Sequence, residues 1–135
     1  MDFRIDKYLL ISIVLIFFAC SSDKTKEIED YSGIDLQNKI TFVKDTSHWN
    51  NFNGNGFKVL IYEIKNDNLN EIIQSAKQLK YKNLKSYDSE FSNFDITPYI
   101  KASQGLFKTE WLDNEIKTIV LDTVNSKLIY YYSIL

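Results

Sequence analysis

One cysteine, one proline, one histidine and four glycines are all that this chain of 135 residues carries of those types. A lone cysteine excludes an internal disulfide, so any folded unit must be held by packing alone. With one histidine as well, a structural zinc site lacks its ligands, since such sites draw on several Cys and His. Charge of one sign is missing too. Sixteen Lys and Arg stand against 18 Asp and Glu, for a formal net charge of −2. No basic run occurs, which argues against nucleic acid as a partner. No apolar run reaches the roughly 20 residues that a spanning helix needs, and no repeat or low-complexity tract breaks the chain. What is abundant is hydrophobic and aromatic side chain, 44% and 15% of residues. That composition implies a packed core.

The longest apolar run is Leu9 to Phe18, interrupted only by Ser12. Before it, Arg4 and Lys7 are offset by Asp2 and Asp6; after it stand the small residues of Ala19-Cys20-Ser21-Ser22. A core of this length, about 7–15 residues and closed by small residues, fits the h-region of a secretory signal. Phe17-Phe18-Ala19-Cys20 resembles the lipobox of bacterial lipoprotein precursors, in which a small residue precedes an invariant Cys. Phe17 stands where that family usually has Leu. The resemblance implies cleavage after residue 19, acylation of Cys20 and attachment to the membrane through lipid. Two or three acyl chains hold a protein firmly at about 0.8 kcal/mol per buried CH2, where one alone is marginal. An ordinary thiol after a conventional signal, or an uncleaved anchor, are the competing readings, and both leave the lone Cys without a purpose.

Residues 20–38 are polar and of alternating charge, and read as an acylated Cys followed by a flexible tether. Ser22-Asp23-Lys24 and Glu27-Ile28-Glu29-Asp30 resemble the acidic export signals of surface-displayed lipoproteins. The location expected is therefore the cell envelope, the outer membrane in preference to the inner, with display at the surface.

Residues 39–135 read as a single α+β domain of about five mostly antiparallel strands, with one long helix packed on one face of the sheet. Lys39 to Lys44 alternates as a first strand. Asp45 to Gly56 reads as a loop around His48, Trp49 and Phe52, with the turn pairs Asn53-Gly54 and Asn55-Gly56. Phe57 to Ile64 is apolar on both faces and belongs centrally in the sheet. The spacing of Leu69, Ile72, Ile73, Ala76 and Leu79 predicts a helix over 66–81, with Asn68 and Glu71 at capping-box distance. Residues 82–104, with Tyr87, Phe91, Phe94, Pro98 and Tyr99, read as an irregular arm. Strands follow at 106–111, 116–122 and 127–135, the last two joined by the turn Thr123 to Ser126. Phe52-x-Gly54-x-Gly56 before a strand and a Tyr-rich terminal strand resemble a group of small uncharacterised bacterial proteins; here Asn55 stands in place of their Asp. That likeness implies the same α+β class and carries no site with it.

Candidate chemistry is sparse. His48 has only Asp45 and Ser47 nearby in sequence, and stacking among neighbouring rings outweighs proton transfer for it. The Asn-Gly run lacks the carboxylates of a calcium loop and the Lys and helix of a phosphate loop. Glu110, Asp113, Glu115 and Asp122 are the one group of acids suited to paired acid–base work, which needs carboxyl groups about 5–9.5 Å apart. In Tyr130-Tyr131-Tyr132, Tyr131 points to one face and its neighbours to the other. One set joins the core; the other, taken as Tyr130 and Tyr132 with Trp49 and Phe52, is the candidate binding surface, since Tyr and Trp suit half-wet interfaces. No catalytic set, metal or cofactor is implied. The expected function is a lipid-anchored, non-enzymatic domain that binds an envelope protein or glycan. The alternatives are an inhibitor or immunity lipoprotein acting on a toxin or hydrolase, and a small envelope hydrolase.

Overall fold

A computed structural model describes residues 24–50, 53–86 and 104–135. Cys20 and the stretch before it, Phe52, and the aromatic segment from Tyr87 to Tyr99 lie outside the described residues. The chain divides after Gly33, and residues 34–135 form one compact unit. Of the preceding unit, residues 24–32 form a helix, α1. It lies within residues 20–38, the stretch read as a tether. The reasons are local: Ile28 and Ser32, four apart, are both buried, and Gly33 at φ 72 stops the helix in the left-handed region. Its N–H donates to the Glu29 carbonyl at 2.9 Å.

The described residues of 34–135 are α+β, built on one antiparallel sheet of six strands in the order β1-β2-β6-β5-β4-β3. Strand β1 (Ile40–Trp49) and β2 (Gly56–Ile64) form a hairpin; β4 (Gly105–Leu112), β5 (Glu115–Asp122) and β6 (Lys127–Ile134) form a meander. Strand β6 returns to pair with β2 and so joins the two. The sixth strand, β3 (Lys82–Asn83), is a two-residue addition to the β4 edge. It falls in the stretch expected to be irregular, and a 3-10 turn (Leu84–Ser86) follows it. Strand β1 runs five residues past its expected end. A bulge between Phe42 and Lys44 restores its register with β2, and as the exposed outer strand it tolerates the polar Asp45, Thr46 and Ser47.

Both faces of the sheet are buried at their centres. On the first, Val59, Ile129, Tyr131, Val120 and Phe107 form a cluster closed at one side by Leu84. On the second, Leu60, Tyr62, Ile64, Leu128, Tyr130, Ile119, Leu121 and Leu106 are all buried. Strand β2 contributes to both, as its unbroken apolar character required. Polar side chains in the interior are answered locally. The hydroxyls of Thr109 and Thr118 share a hydrogen bond of 2.7 Å across β4 and β5. Among the described residues no buried side-chain nitrogen or oxygen lacks a partner.

The helix expected over 66–81 is shorter. A 3-10 turn (Asn66–Asn68) leads into α2 (Leu69–Gln78). Because that turn runs straight on, Asn68 has near-helical torsions and its side chain caps nothing. Glu71 reaches Lys39 instead, at 2.7 Å, and Lys39 also holds Asp35 at 3.1 Å. Lys39 and the Gln37 amide keep the Asp35 carboxyl below its usual range. Ile72 and Ala76 are buried, while Leu79, counted into the apolar stripe by spacing, lies at the C-cap and is exposed. With Lys39 beside its first turn, and Ile73 and Lys77 sharing a cleft with Leu106 of β4, α2 crosses the second face from the β1 side to the β4 side. Its ten residues span about 15 Å, close to the roughly 14 Å between β2 and β4. Ile34 and Leu36 are buried too, so the folded unit begins before residue 39. Among the described residues no helix is long and apolar enough to cross a membrane.

Helix α2 ends in a Schellman motif: the Tyr81 amide donates to the Ala76 carbonyl at 3.0 Å, with Lys80 at φ 60. A non-glycine residue in that conformation costs roughly 1–2 kcal/mol, partly regained by its lower freedom when unfolded. Lys80→Gly should therefore stabilise the fold by about 0.5–1 kcal/mol, read as a higher urea midpoint at unchanged m-value.

Candidate functional site

The end of the sheet where β1 meets β2 gathers the aromatic residues picked out in the sequence. Gly56 opposes Trp49 in the hairpin and Ile134 on its other side. A β-carbon on Gly56 would lie 2.7 Å from the Trp49 indole and 2.3 Å from the His48 carbonyl oxygen. The bare backbone therefore lets the indole lie over the strand. There it comes within 6.1 Å of the Tyr132 ring at an interplanar angle of 50°. The Asn-Gly run makes this possible by turning tightly. Gly54 takes φ 72, the Asn50 amide donates to the Asn55 carbonyl at 2.7 Å, and the Asn53 side chain accepts from the Asn55 amide at 3.1 Å. It is a turn and not a cation loop.

Register sets the surroundings. One row across the second face reads Ser47, Lys58, Tyr132, Lys117 and Glu110. The Lys58 ammonium stands 6.0 Å from the Tyr132 ring centre and 5.8 Å from that of Tyr130; Lys117 stands 5.8 Å from Tyr132 on the far side. Tyr132 is thus flanked by two cations, a favourable arrangement for a ring face. The next row outward reads Trp49, Gly56, Ile134, Glu115 and Leu112. Trp49 is 39% exposed and Leu112 60%. An apolar rim thus lies beside a row of rings and charges. Counting Asp45 and Lys108 of the same face, three lysines meet three acids, so the patch has no net charge.

Of the expected surface, Trp49 and Tyr132 are brought together. Phe52 lies outside the described residues. Tyr130 shares the face of Tyr132, as alternation required, but is fully buried, with Lys58 over its ring and the buried Leu60 and Ile119 as its cross-strand neighbours. Tyr131 joins the other core and stacks on Phe57 at 6.3 Å. The two lysines were not foreseen. Their positions as the second residues of the apolar strands FKVLIYEI and IKTIVLD were the available sign, but only the register brings both to Tyr132.

The remaining candidates are scattered. His48 lies in β1 on the first face, its ring 6.1 Å from Phe57 and not among the rings of the opposite face. Asp122 sits at the far end of β5, buried, where its carboxylate accepts from the Val124 and Asn125 amides and the Asn125 side chain at 2.8–3.0 Å. It shapes the β5–β6 turn. Asp113 occupies the β4–β5 turn at φ 52, Glu110 is opposite Lys117, and Glu115 opposite Leu112. Glu110 and Glu115 are thus diagonal neighbours on the second face, with Asp122 at the far end of β5, and among the described residues no three His, Cys, Asp or Glu are placed to hold a metal. No family model, curated protein or solved structure matches the chain.

Because the indole occupies the space of an absent β-carbon, Gly56→Ala should displace it and lower stability by about 1–3 kcal/mol. In a Trp111→Phe background, the near-ultraviolet circular dichroism of Trp49 should weaken in parallel.

Proposed function

We propose that the protein is a lipid-anchored component of the cell envelope whose folded unit is a non-enzymatic binding domain for another protein. The anchor half of this reading is supported by the Leu9 to Phe18 run and the Ala19-Cys20 pair that closes it. The binding half is supported by one observation above the rest: the Trp49–Ile134–Leu112 rim set against the Lys58–Tyr132–Lys117 row. Exposed apolar residues grouped in this way mark an association surface more often than a free one. A tryptophan and a tyrosine bordered by charges are the usual energetic centre of a protein interface. An inhibitor or immunity lipoprotein is the special case in which that partner is a toxin or hydrolase. An acidic mimic is disfavoured by the balance of three lysines and three acids. A hydrolase is disfavoured because the Asp122 carboxylate is held in its own turn and Glu110 stands opposite Lys117.

Two measurements check the two halves separately. Labelled palmitate fed to cells should enter the protein, and Cys20→Ala should abolish that labelling. Affinity capture from the native envelope should recover one protein partner whose affinity falls roughly thirtyfold in Trp49→Ala, with Trp111→Ala, on the opposite face, as the unaffected control. Recovery of a glycan in place of a protein, or equal capture by both variants, would count against the surface.

A further inference from the structure

At the opposite end of the sheet from Trp49 lies a cleft of about 440 Å3, within the range of small-molecule sites. It opens between the last turn of α2, the short strand β3 with its 3-10 turn, and the start of β4. Ile73, Leu84 and Leu106 give it an apolar floor, and Lys77 and Lys85 stand at its rim. Asn83, Gln104 and Thr123 add amide and hydroxyl groups, and the Thr123 hydroxyl donates to the Gln104 carbonyl at 3.3 Å. Among the described residues no carboxylate lines the cleft. The nearest in sequence, Asp122, is turned into its own loop by three hydrogen bonds. At Gly105 the backbone is bare, since a β-carbon there would meet the Leu121 carbonyl at 2.1 Å.

We propose that this cleft binds a small organic anion, a single phosphate or carboxylate group carried on an apolar body. The charge balance favours it. The negative end of α2 faces this side and is equivalent to about half an electronic charge, while the two lysines contribute two positive ones. Among the described residues a net attraction of about one and a half charges therefore remains. Lysine serves as a point charge for such groups, where arginine would grip in a fixed fork, so the rim is tolerant of the anion's shape. The floor distinguishes the ligand from a free inorganic ion, because three apolar side chains reward an apolar body with buried area. Along β5, Leu121 opposite the cleft's Leu106 and Lys117 opposite Tyr132 are four residues apart, a distance of roughly 13 Å.

Calorimetric titration of the full chain in a neutral detergent, with phenyl phosphate and phenylacetate as separate probes, tests this. At least one should bind with a stoichiometry of one, and Lys77→Gln/Lys85→Gln should weaken it roughly tenfold. Both lysines are exposed, so the variant should keep the wild-type unfolding midpoint. Ile73→Trp, filling the floor, should abolish binding while circular dichroism reports an intact fold. Which of the two probes binds tells a phosphate ligand from a carboxylate one. The proposal is overturned if neither anion binds saturably or if the double variant binds as well as the wild type. It is equally overturned if benzyl alcohol matches the anions, or if inorganic phosphate alone binds as tightly as phenyl phosphate.

Discussion

The pairing of β2 with β6 is the constraint on which the rest of the molecule depends. It runs unbroken from Gly56 opposite Ile134 to Glu63 opposite Lys127, and it is the one seam where the N-terminal hairpin and the C-terminal meander become a single sheet. Both strands are buried on both faces at their centres. A slip of one residue would exchange the two cores and leave every large side chain on the wrong side. The same register places Lys58 beside Tyr132, while the β5–β6 pairing brings Lys117 to the ring's other side and the β1–β2 hairpin leaves Gly56 beneath the Trp49 indole.

That dependence explains what could be read from the chain and what could not. The apolar strands around residues 57–64, 116–122 and 127–135 declared themselves by composition, and the helix by the spacing of Ile72 and Ala76. These are local properties, and they were enough for the α+β class. Strand order was not legible, because nothing in Phe57 to Ile64 specifies that its second neighbour is the last strand of the chain. The ends of elements were also obscure. Strand β1 continued through polar residues because an edge strand needs no buried face, and α2 lost its expected cap because the preceding turn had already fixed the backbone of Asn68. Helix α1 was hidden by its charges, although Gly33 marked its end.

The candidate surfaces divide in the same way. Trp49 and Tyr132 could be nominated by residue type, since both rings suit half-exposed positions. Which of three successive tyrosines would be exposed could not be nominated, because alternation gives the face and not the cover. Tyr130 and Tyr132 point the same way, yet one is sealed by neighbouring strands and the other stands at the rim. The cleft beside α2 had no sequence sign at all. Its lining comes from α2, from residues 83–85, from the start of β4 and from Thr123, parts far apart in sequence that only the folded chain assembles.

The bulge at Val43 has a consequence for how the molecule behaves among its own kind. Strand β1 is an outer strand of ten residues with its hydrogen-bonding groups turned outward, a length that would suit it as a template for a neighbouring chain. The irregularity between Phe42 and Lys44 divides that margin into a stretch of three residues and another of six. The longer piece carries Lys44, Asp45 and His48. An incoming strand would find no uniform ladder to copy, and ribbon growth along this border is blocked by the same extra residue that lets the hairpin keep its pairing.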